Sequence, residues 1–229
     1  MNVLFLGEGD LSGAARYLAA ILTWAKIPYD HRPDEARLPK RWRGSHYDVV
    51  ILSDYRYASW TPCAKEWLLE QVTVRGTGLL MIGGWASFTG LVGGYAGTDL
   101  ERLLPVTCVR GDDRVNRSAM LMGAGNPPVV CGYHRAKPKP GTQIPYVFRD
   151  LIYKNGRVTL GVPQPALVLG RAGRARTAAF LTDCAPHWAG GLVDWGRRRV
   201  SVKLGRYGTV EVGEQYLRFF RSLFQLVAK

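Results

Sequence analysis

The stretch that decides the fold is Leu79-Leu80-Met81-Ile82-Gly83-Gly84-Trp85-Ala86-Ser87-Phe88-Thr89-Gly90, in which four apolar residues are followed by a glycine-rich turn. Consecutive apolar residues are typical of a parallel strand that is covered on both faces. Residues 3–6 and 47–54 show the same character, and each run precedes a helical pattern of apolar residues spaced three or four apart. This alternation predicts an α/β fold with a flavodoxin-like, doubly wound and mostly parallel sheet.

The rest of the chain predicts additions to this sheet. Residues 31–43 are polar and contain proline, so we expect a loop there, and residues 91–165 are expected to form an irregular cap or edge region. Residues 166–169 and 177–181 flank a glycine-containing turn, which predicts antiparallel strands at the sheet edge. Residues 197–229 fit a C-terminal hairpin followed by an amphipathic helix. We therefore expect residues 1–229 to form a single domain.

Composition favours a globular protein that works in the cytoplasm. Hydrophobic residues make up 47% and charged residues 21% of the 229 residues, which is ordinary for a globular chain. No apolar run reaches the roughly 18 residues that a membrane helix requires, and the N-terminus does not resemble a signal peptide. The cysteines form no CxxC pair, so free thiols are expected, with no metal and no cofactor; they are Cys63, Cys108, Cys131 and Cys184.

The net charge of +13 raises the question of an anionic partner. Basic residues are spread along the chain, with short clusters at 40–43, 171–176 and 197–199. These clusters do not belong to a recognised nucleic-acid-binding motif. Nucleic-acid binding is therefore an alternative that we do not favour, and acidic small molecules or a negatively charged subunit remain open.

Five short motifs occur in a characteristic order: Gly83 to Gly90, Leu104-Pro105-Val106, Gly111-Asp112-Asp113-Arg114, Gly132-Tyr133-His134 and Thr182-Asp183-Cys184-Ala185-Pro186-His187-Trp188. Together they resemble the bacterial putative glutamine amidotransferases, a branch of the class I glutamine amidotransferase-like superfamily. The resemblance covers roughly residues 45–195 and implies a flavodoxin-like fold. Two positions depart from the family pattern, because His134 replaces an Asn and Thr182 replaces a Ser.

The resemblance also implies where a glutaminase would carry its catalytic residues. A nucleophilic Cys is expected on the turn after a central strand, with a His and a Glu after a later strand. The turn at 83–88 has no Cys, and Ser87 is its candidate nucleophile. His187 follows the later strand, but Ala189 stands where the Glu is expected. Ordinary glutamine hydrolysis is therefore not expected.

Candidate site residues are expected at the carboxyl ends of the strands, where open α/β sheets bind ligands. For catalysis we predict Ser87 as nucleophile, His187 as base and Asp183 as the residue that orients it. Each has a structural alternative: a helix cap for Ser87, a backbone hydrogen bond for His187 and a local turn for Asp183. The predicted substrate contacts are Gly84, Trp85, Asp54, Asp112, Asp113, Arg114 and Trp188.

Three functions fit these observations. The first is a small-molecule-binding protein, with hydrolysis or transfer at an amide or ester as the closest chemistry. The second is a non-catalytic subunit of an assembly, in a homo-oligomer or with a partner subunit, since the superfamily fold also resembles the trimerisation domain of some β-galactosidases. The third is an anion or nucleic-acid binder, for which binding should weaken steeply with salt.

Overall fold

The computed structural model describes residues 1–39, 44–123 and 125–228, in which a large mixed sheet is the central feature. The strands are β1 (Val3–Gly7), β2 (Tyr29–Arg32), β3 (Val49–Ser53), β4 (Gly78–Ile82), β5 (Val106–Cys108), β6 (Arg114–Val115), β7 (Ala119–Met122), β8 (Val129–Val130), β9 (Tyr133–His134), β10 (Ala136–Pro138), β11 (Gln143–Lys154), β12 (Arg157–Leu160), β13 (Gln164–Ala172), β14 (Ala175–Phe180), β15 (Arg199–Lys203) and β16 (Thr209–Gly213). The α-helices are α1 (Ala15–Trp24), α2 (Pro62–Glu70), α3 (Pro186–Ala189) and α4 (Glu214–Val227).

The main sheet has a parallel half and an antiparallel half. Its order is β2-β1-β3-β4-β14-β13-β11-β7-β8, with β12 paired to β11. Pairing is parallel from β2 to β14 and antiparallel from β14 onward. Every residue of β1, β3 and β4 is buried, as the apolar runs of the sequence predict. The predicted α/β class with parallel central strands is therefore confirmed, and the antiparallel part is wider than edge strands alone.

Local signals position the helices that cover the parallel strands. The Thr61 hydroxyl accepts a hydrogen bond from the Ala64 amide, and Pro62 occupies the first turn of α2. The helix continues as a π-helical turn to Arg75 and ends at Gly76, whose φ of 82° is left-handed. Helix α4 buries the aromatic side chains of Tyr216, Phe219, Phe220 and Phe224. Within the described ranges, no helix is long and apolar enough to cross a membrane.

The strands β13 and β14 form the hairpin that the sequence predicts, but the prediction of an edge position is wrong. Strand β14 lies in the centre of the sheet and pairs in parallel with β4, with Thr177 opposite Leu79. Its small residues Ala178 and Ala179 are fully buried, so layers can pack on both faces of the strand. Consequently, the segment that follows β14 lies beside the turn that follows β4.

Two further segments are more regular than predicted. Residues 31 and 32 belong to β2, which pairs with β1, so the predicted loop begins later. Residues 91–165 contain β5 to β12, of which β7, β8 and β11 extend the sheet. These strands are short or half-exposed, which explains the lack of long apolar runs in their sequence. The basic cluster at 40–43 lies outside the described residues.

Candidate functional site

The carboxyl ends of β1, β3, β4 and β14 meet at one edge of the sheet, because these strands are neighbours and run in parallel. Glu8 follows β1 directly, and Asp54 follows β3 directly. Both have a positive φ, 62° and 57°, although neither is a glycine. Such backbone strain persists where the surrounding structure holds the residue firmly, and it is common at functional sites. This edge is therefore the candidate site.

The carboxylate of Asp54 occupies the inside of the turn after β4. It accepts hydrogen bonds from the backbone amides of Ala86, at 2.7 Å, and Trp85. Gly84 makes this approach possible, since a Cβ at that position would lie 2.2 Å from Asp54 Oδ1. Burial raises the pKa of Asp54, while the two amides oppose that shift. The amides of this turn are thus bound to a carboxyl group of the protein itself. An enzyme with an oxyanion hole instead keeps such amides free to bind its substrate.

A second carboxylate holds the other end of the same turn. Buried Asp113 accepts hydrogen bonds from the amides of Thr89, at 3.2 Å, and Gly90, at 2.7 Å. The Nδ1 atom of His134 lies 3.1 Å from Asp113 Oδ1, within ion-pair range although the angle is not that of a hydrogen bond. On its other side, Nε2 of His134 lies 2.9 Å from the carbonyl oxygen of Gly84 and 3.1 Å from its amide nitrogen. Asp113 and His134 are thus fully enclosed.

Ser87 lies inside this arrangement and is 1% exposed. Its hydroxyl donates a 2.6 Å hydrogen bond to the carbonyl of Ile82 and accepts one of 3.0 Å from the amide of Asp54. His187 is not among its hydrogen-bond partners in the described part of the chain. Since its proton is already donated and the nearby amides are bound to Asp54, the geometry argues against the predicted Ser87 nucleophile. The structural alternative, a hydroxyl that fixes the turn, fits the contacts.

A buried acidic cluster lies below the edge. Glu8 Oε1 accepts a 2.9 Å hydrogen bond from the Ser53 hydroxyl and lies 3.9 Å from Cys184 Sγ. Glu8 and Asp183 also share a side-chain hydrogen bond. Burial first, and then the charges of neighbouring carboxylates, raise the pKa of Glu8 well above its usual value and that of Asp183 to about 8. Burial therefore favours the protonated forms of both acids.

The same cluster does not by itself identify a metal site. Ligand atoms of Glu8, Asp183 and Cys184 lie within 4.8 Å of one another, which is close enough for one ion. However, Glu8 is already bonded to Ser53 and Asp183, and burial raises the pKa of the Cys184 thiol, which disfavours the thiolate that a metal requires. These contacts fit a proton-sharing group, and the sequence predicts no metal there.

His187 connects this cluster to solvent. Its Nε2 atom lies 3.1 Å from Asp183 Oδ2, within ion-pair range although the angle is not that of a hydrogen bond, and 46% of its side chain is exposed. Asp183 itself is fully buried, and its Oδ1 accepts a 2.8 Å hydrogen bond from the amide of Ala185. Because Nε2 faces Asp183, Nδ1 is the ring nitrogen left for a ligand. The structure therefore brings together two of the three predicted catalytic residues.

The predicted substrate contacts divide into exposed and enclosed residues. Trp85 is 50% exposed, and the Arg114 guanidinium lies 5.6 Å from the centre of its ring. Arg114 in turn forms an ion pair of 2.9 Å with Asp112, which lowers the pKa of Asp112 to about 2. Trp188 is buried, and its indole nitrogen donates to Asn116 at 3.1 Å. Trp188 thus joins Gly84, Asp54 and Asp113 as a residue that supports the site.

Beside Arg114, whose guanidinium lies over the Trp85 ring, is a cavity of about 420 Å³, a size that suits a small ligand. Its wall is lined by Thr89, Gly90, Leu91, Val92, Gly94, Gly111, Asp112 and Arg114. A larger cavity of about 860 Å³ lies elsewhere, next to Tyr146 and Trp195. The acids with raised pKa values, Glu8, Asp54 and Asp183, line neither cavity, and we favour the strand-end region because these acids converge there.

Sequence comparison agrees with this geometry. The chain belongs to the family described as putative glutamine amidotransferase, GATase1-like, whose model matches residues 13–200. The match confirms the resemblance to putative glutamine amidotransferases that the five sequence motifs indicate. No curated protein matches the sequence significantly.

Solved structures share the fold. Cytoplasmic protein STM1381 from Salmonella typhimurium LT2 superposes with a TM-score of 0.77 and 23% identity over 100% of both chains. Cytoplasmic protein STM3548 from Salmonella typhimurium gives 0.75 and 23% over 99% of both. A catalytic mutant of the GH42 β-galactosidase Gan42B from G. stearothermophilus gives 0.52 and 14%, covering 98% of this chain and 29% of that chain. At these identities, the comparisons show the fold alone.

Proposed function

We propose that this protein binds a small molecule at the carboxyl ends of its parallel strands and transfers a proton to or from it through His187. Hydrolysis or group transfer at an amide or ester is the reaction class that suits the arrangement. The observation that carries the proposal is the contact between exposed His187 and buried Asp183, at 3.1 Å. A histidine whose one nitrogen is oriented by a carboxylate is a common general base.

The acid–base chemistry follows from the environment of Asp183. With its pKa raised to about 8, Asp183 gains and loses a proton near neutral pH. Once Asp183 is ionised, its charge favours a proton on the facing Nε2 of His187 and leaves Nδ1 as a free base toward solvent. Water is the attacking group that fits best, since the hydroxyl of Ser87 is bonded to Ile82.

Trp85 and Arg114 support a binding role for the neighbouring surface. The exposed indole offers a flat apolar face, and the adjacent cavity has apolar side chains at Leu91 and Val92, which are 56% and 48% exposed. An exposed apolar surface beside a few polar groups is typical of ligand sites. We infer a ligand with a planar or apolar portion that rests on Trp85 while a polar group reaches His187.

The setting of this site completes the proposal. The order β2-β1-β3-β4-β14 supports the proposal of a flavodoxin-like, doubly wound sheet, a class that binds ligands at this edge. We infer that residues 1–229 act as one domain, because the sheet runs from the N-terminal strands to β14. A cytoplasmic location is supported by the two Salmonella proteins, which are described as cytoplasmic.

Hydrolysis of a defined set of substrates tests the proposal. Short-chain p-nitrophenyl esters, p-nitroanilides and L-glutamine are incubated with the wild-type protein and with His187→Gln, Ser87→Ala and His46→Gln. His46 is the matched control, because 81% of its side chain is exposed and it pairs with Asp48, just before the amino end of β3 and away from the carboxyl ends of the strands. Loss of a general base reduces rates about 10²–10⁴-fold.

We expect the loss in His187→Gln and near wild-type rates in the other two variants. If Ser87→Ala abolishes turnover while His187→Gln retains it, the proposed roles are wrong. If no substrate is hydrolysed, and none of them shifts the NMR signals of His187 and Trp85, binding at this edge is also contradicted.

A further inference from the structure

Helix α4 borders a long groove on one face of the main sheet. The cavity of about 860 Å³ continues into a second cavity of about 430 Å³, and Tyr146, Trp195 and Gln215 line both of them. The second cavity continues into a third of about 290 Å³, with Leu169 and Leu226 in the wall of each. Because neighbouring cavities share these residues, the three form one continuous depression, which we call the α4 groove.

The α4 groove follows the helix over most of its length. The helix residues that line it include a series at four-residue spacing, which places them in one stripe along the helix: Glu214, Arg218, Ser222 and Leu226. At a rise of 1.5 Å per residue, this stripe is roughly 18 Å long. The groove therefore suits an elongated occupant, such as a helix of about three to four turns.

The floor of the α4 groove is the face of the sheet on which α4 itself packs. Leu167 of β13 lies opposite Tyr146 of β11 and opposite Phe180 of β14, so these three side chains share one face. The ring of Phe219 on α4 lies 5.3 Å from that of Phe180 and 5.4 Å from that of Tyr146. Tyr146 and Leu169 are only half-buried, although they belong to this packed face. The helical layer that α4 forms thus leaves part of β11 and β13 open.

A second helix in the groove would continue this layer. Helices that cover a sheet lie side by side, with axes about 8–10 Å apart. The new helix would place an apolar stripe against Tyr146, Leu169 and the side of α4. An amphipathic helix in an apolar groove is a common mode of peptide recognition.

The charged side chains of the α4 groove are mostly arginines. Arg197 lines the first cavity, Arg218 the second, and Arg171 and Arg176 the third. Arg171 and Arg176 donate hydrogen bonds to backbone carbonyls, which do not neutralise their charge. Glu214 also lines the first cavity, and its carboxylate lies 3.8 Å from the Arg218 guanidinium. The excess of arginines, on a chain with a net charge of +13, attracts an acidic partner and repels a second copy.

We propose that the α4 groove binds an acidic amphipathic helix of a partner protein. The apolar side of that helix rests on the floor, and its Asp or Glu residues pair with the arginines of the rim. A membrane is a less suitable partner, because Phe219 and Leu223 are buried inside the groove and do not project toward a flat surface. His187 and Asp183 do not line the groove, so this inference does not depend on the function proposed above.

A designed peptide tests the proposal. The probe is a fluorescein-labelled helical peptide of about 15 residues, with leucines at three- and four-residue spacing and glutamates on the flanks. The control peptide has lysine in place of each glutamate. We expect fluorescence anisotropy to show saturable binding of the acidic peptide to the full chain, and this binding should weaken as salt rises. The lysine peptide should not bind.

Two pairs of variants locate the binding site. Arg218→Glu should weaken binding about tenfold, because it replaces an attraction by a repulsion. Arg221→Glu makes the same charge change on the same helix, but the Arg221 guanidinium lies 6.0 Å from the centre of the Trp24 ring, and we expect little effect. Leu226→Ser should weaken binding about fivefold through lost apolar contact. Its control is Gln225→Ser, at an exposed neighbouring position that does not line the groove.

Four results would overturn the proposal. The first is absence of binding at about 1 mM acidic peptide, the weak end of the affinity scale. The second is equal binding of the lysine peptide, and the third is equal weakening by Arg218→Glu and Arg221→Glu, which would indicate a general charge effect. The fourth is binding to phosphatidylglycerol vesicles without binding to the peptide, which would identify a lipid surface as the occupant. Far-UV circular dichroism verifies the fold of each variant, and the exposed Leu226→Ser pair serves if Arg218→Glu fails to fold.

Discussion

Replacement of Ser87 by alanine distinguishes a structural hydroxyl from a catalytic one. The Ser87 hydroxyl is buried between two backbone groups, the carbonyl of Ile82 at 2.6 Å and the amide of Asp54 at 3.0 Å. Alanine keeps the backbone and the Cβ but removes these two hydrogen bonds, together with a longer contact of 3.4 Å from the hydroxyl to Asp54 Oδ1. The carbonyl and the amide then lose a partner inside the protein, where water does not readily replace it.

The size of the effect follows from these two groups. A buried donor or acceptor that loses its partner costs about 1–3 kcal/mol. The Ile82 carbonyl lies at the end of a buried strand, and Asp54 has a positive φ that depends on its contacts. We therefore expect Ser87→Ala to lower the free energy of unfolding by about 2–4 kcal/mol. If Ser87 were instead an activated nucleophile with a free hydroxyl, its removal would change stability little.

Urea denaturation followed by tryptophan fluorescence measures this difference. Ser201→Ala is the control, because the exposed Ser201 hydroxyl donates to Glu211 at 3.0 Å on the surface hairpin. We expect the control to change stability by less than about 0.5 kcal/mol, as surface substitutions usually do. A loss below about 0.5 kcal/mol in Ser87→Ala, with turnover abolished, would refute the structural role.

Three further substitutions address the acids and the turn. Asp183 has a pKa raised from 3.8 to about 8, so the folded protein binds a proton that the unfolded chain has released. The free energy of unfolding should therefore fall as the pH rises from 3.8 to about 8. Thermal melts of Asp183→Asn over this pH range should show a shallower fall, and an unchanged dependence on pH would contradict the raised pKa. Asp113→Asn should cost about 1–3 kcal/mol in urea, because the asparagine keeps one acceptor oxygen and leaves one of the two turn amides without its partner; a neutral effect would contradict the role of Asp113 in the turn. Gly84→Ala should destabilise the turn more than Gly205→Ala, since both glycines have positive φ but a Cβ at Gly205 meets no atom within 4 Å; equal losses would count against the close approach of Asp54.

Much of the parallel sheet could be predicted from sequence because its signals are local. The apolar runs at β1, β3 and β4 need no partner to be recognised, and the Thr61-Pro62 helix start lies within four residues of its hydrogen bond. The position of β14 could not be predicted in this way. It depends on pairing with β4 about a hundred residues earlier, and a hairpin pattern alone does not indicate which sheet neighbour it has.

The contacts of the candidate site could be predicted only in part, for the same reason. His187 and Asp183 are four residues apart at one strand end, so their contact could be expected from sequence. The carboxylate of Asp54 binds an amide 32 residues away, and His134 reaches Gly84 across 50 residues. His134 had one sequence signal, its replacement of an Asn in a family motif, but that signal does not reveal what the ring contacts. Long-range contacts of this kind decide whether Ser87 is free to react.

The most direct test of the central claim is NMR of the His187 ring during a pH titration from 6 to 9. If His187 and Asp183 form one acid–base pair, the His187 ring signals should follow the ionisation of Asp183 near pH 8, with the proton on Nε2 above that pH. In Asp183→Asn this transition should disappear. A His187 ring that shows no transition near pH 8, or that shows the same transition in Asp183→Asn, would contradict the proposed pair.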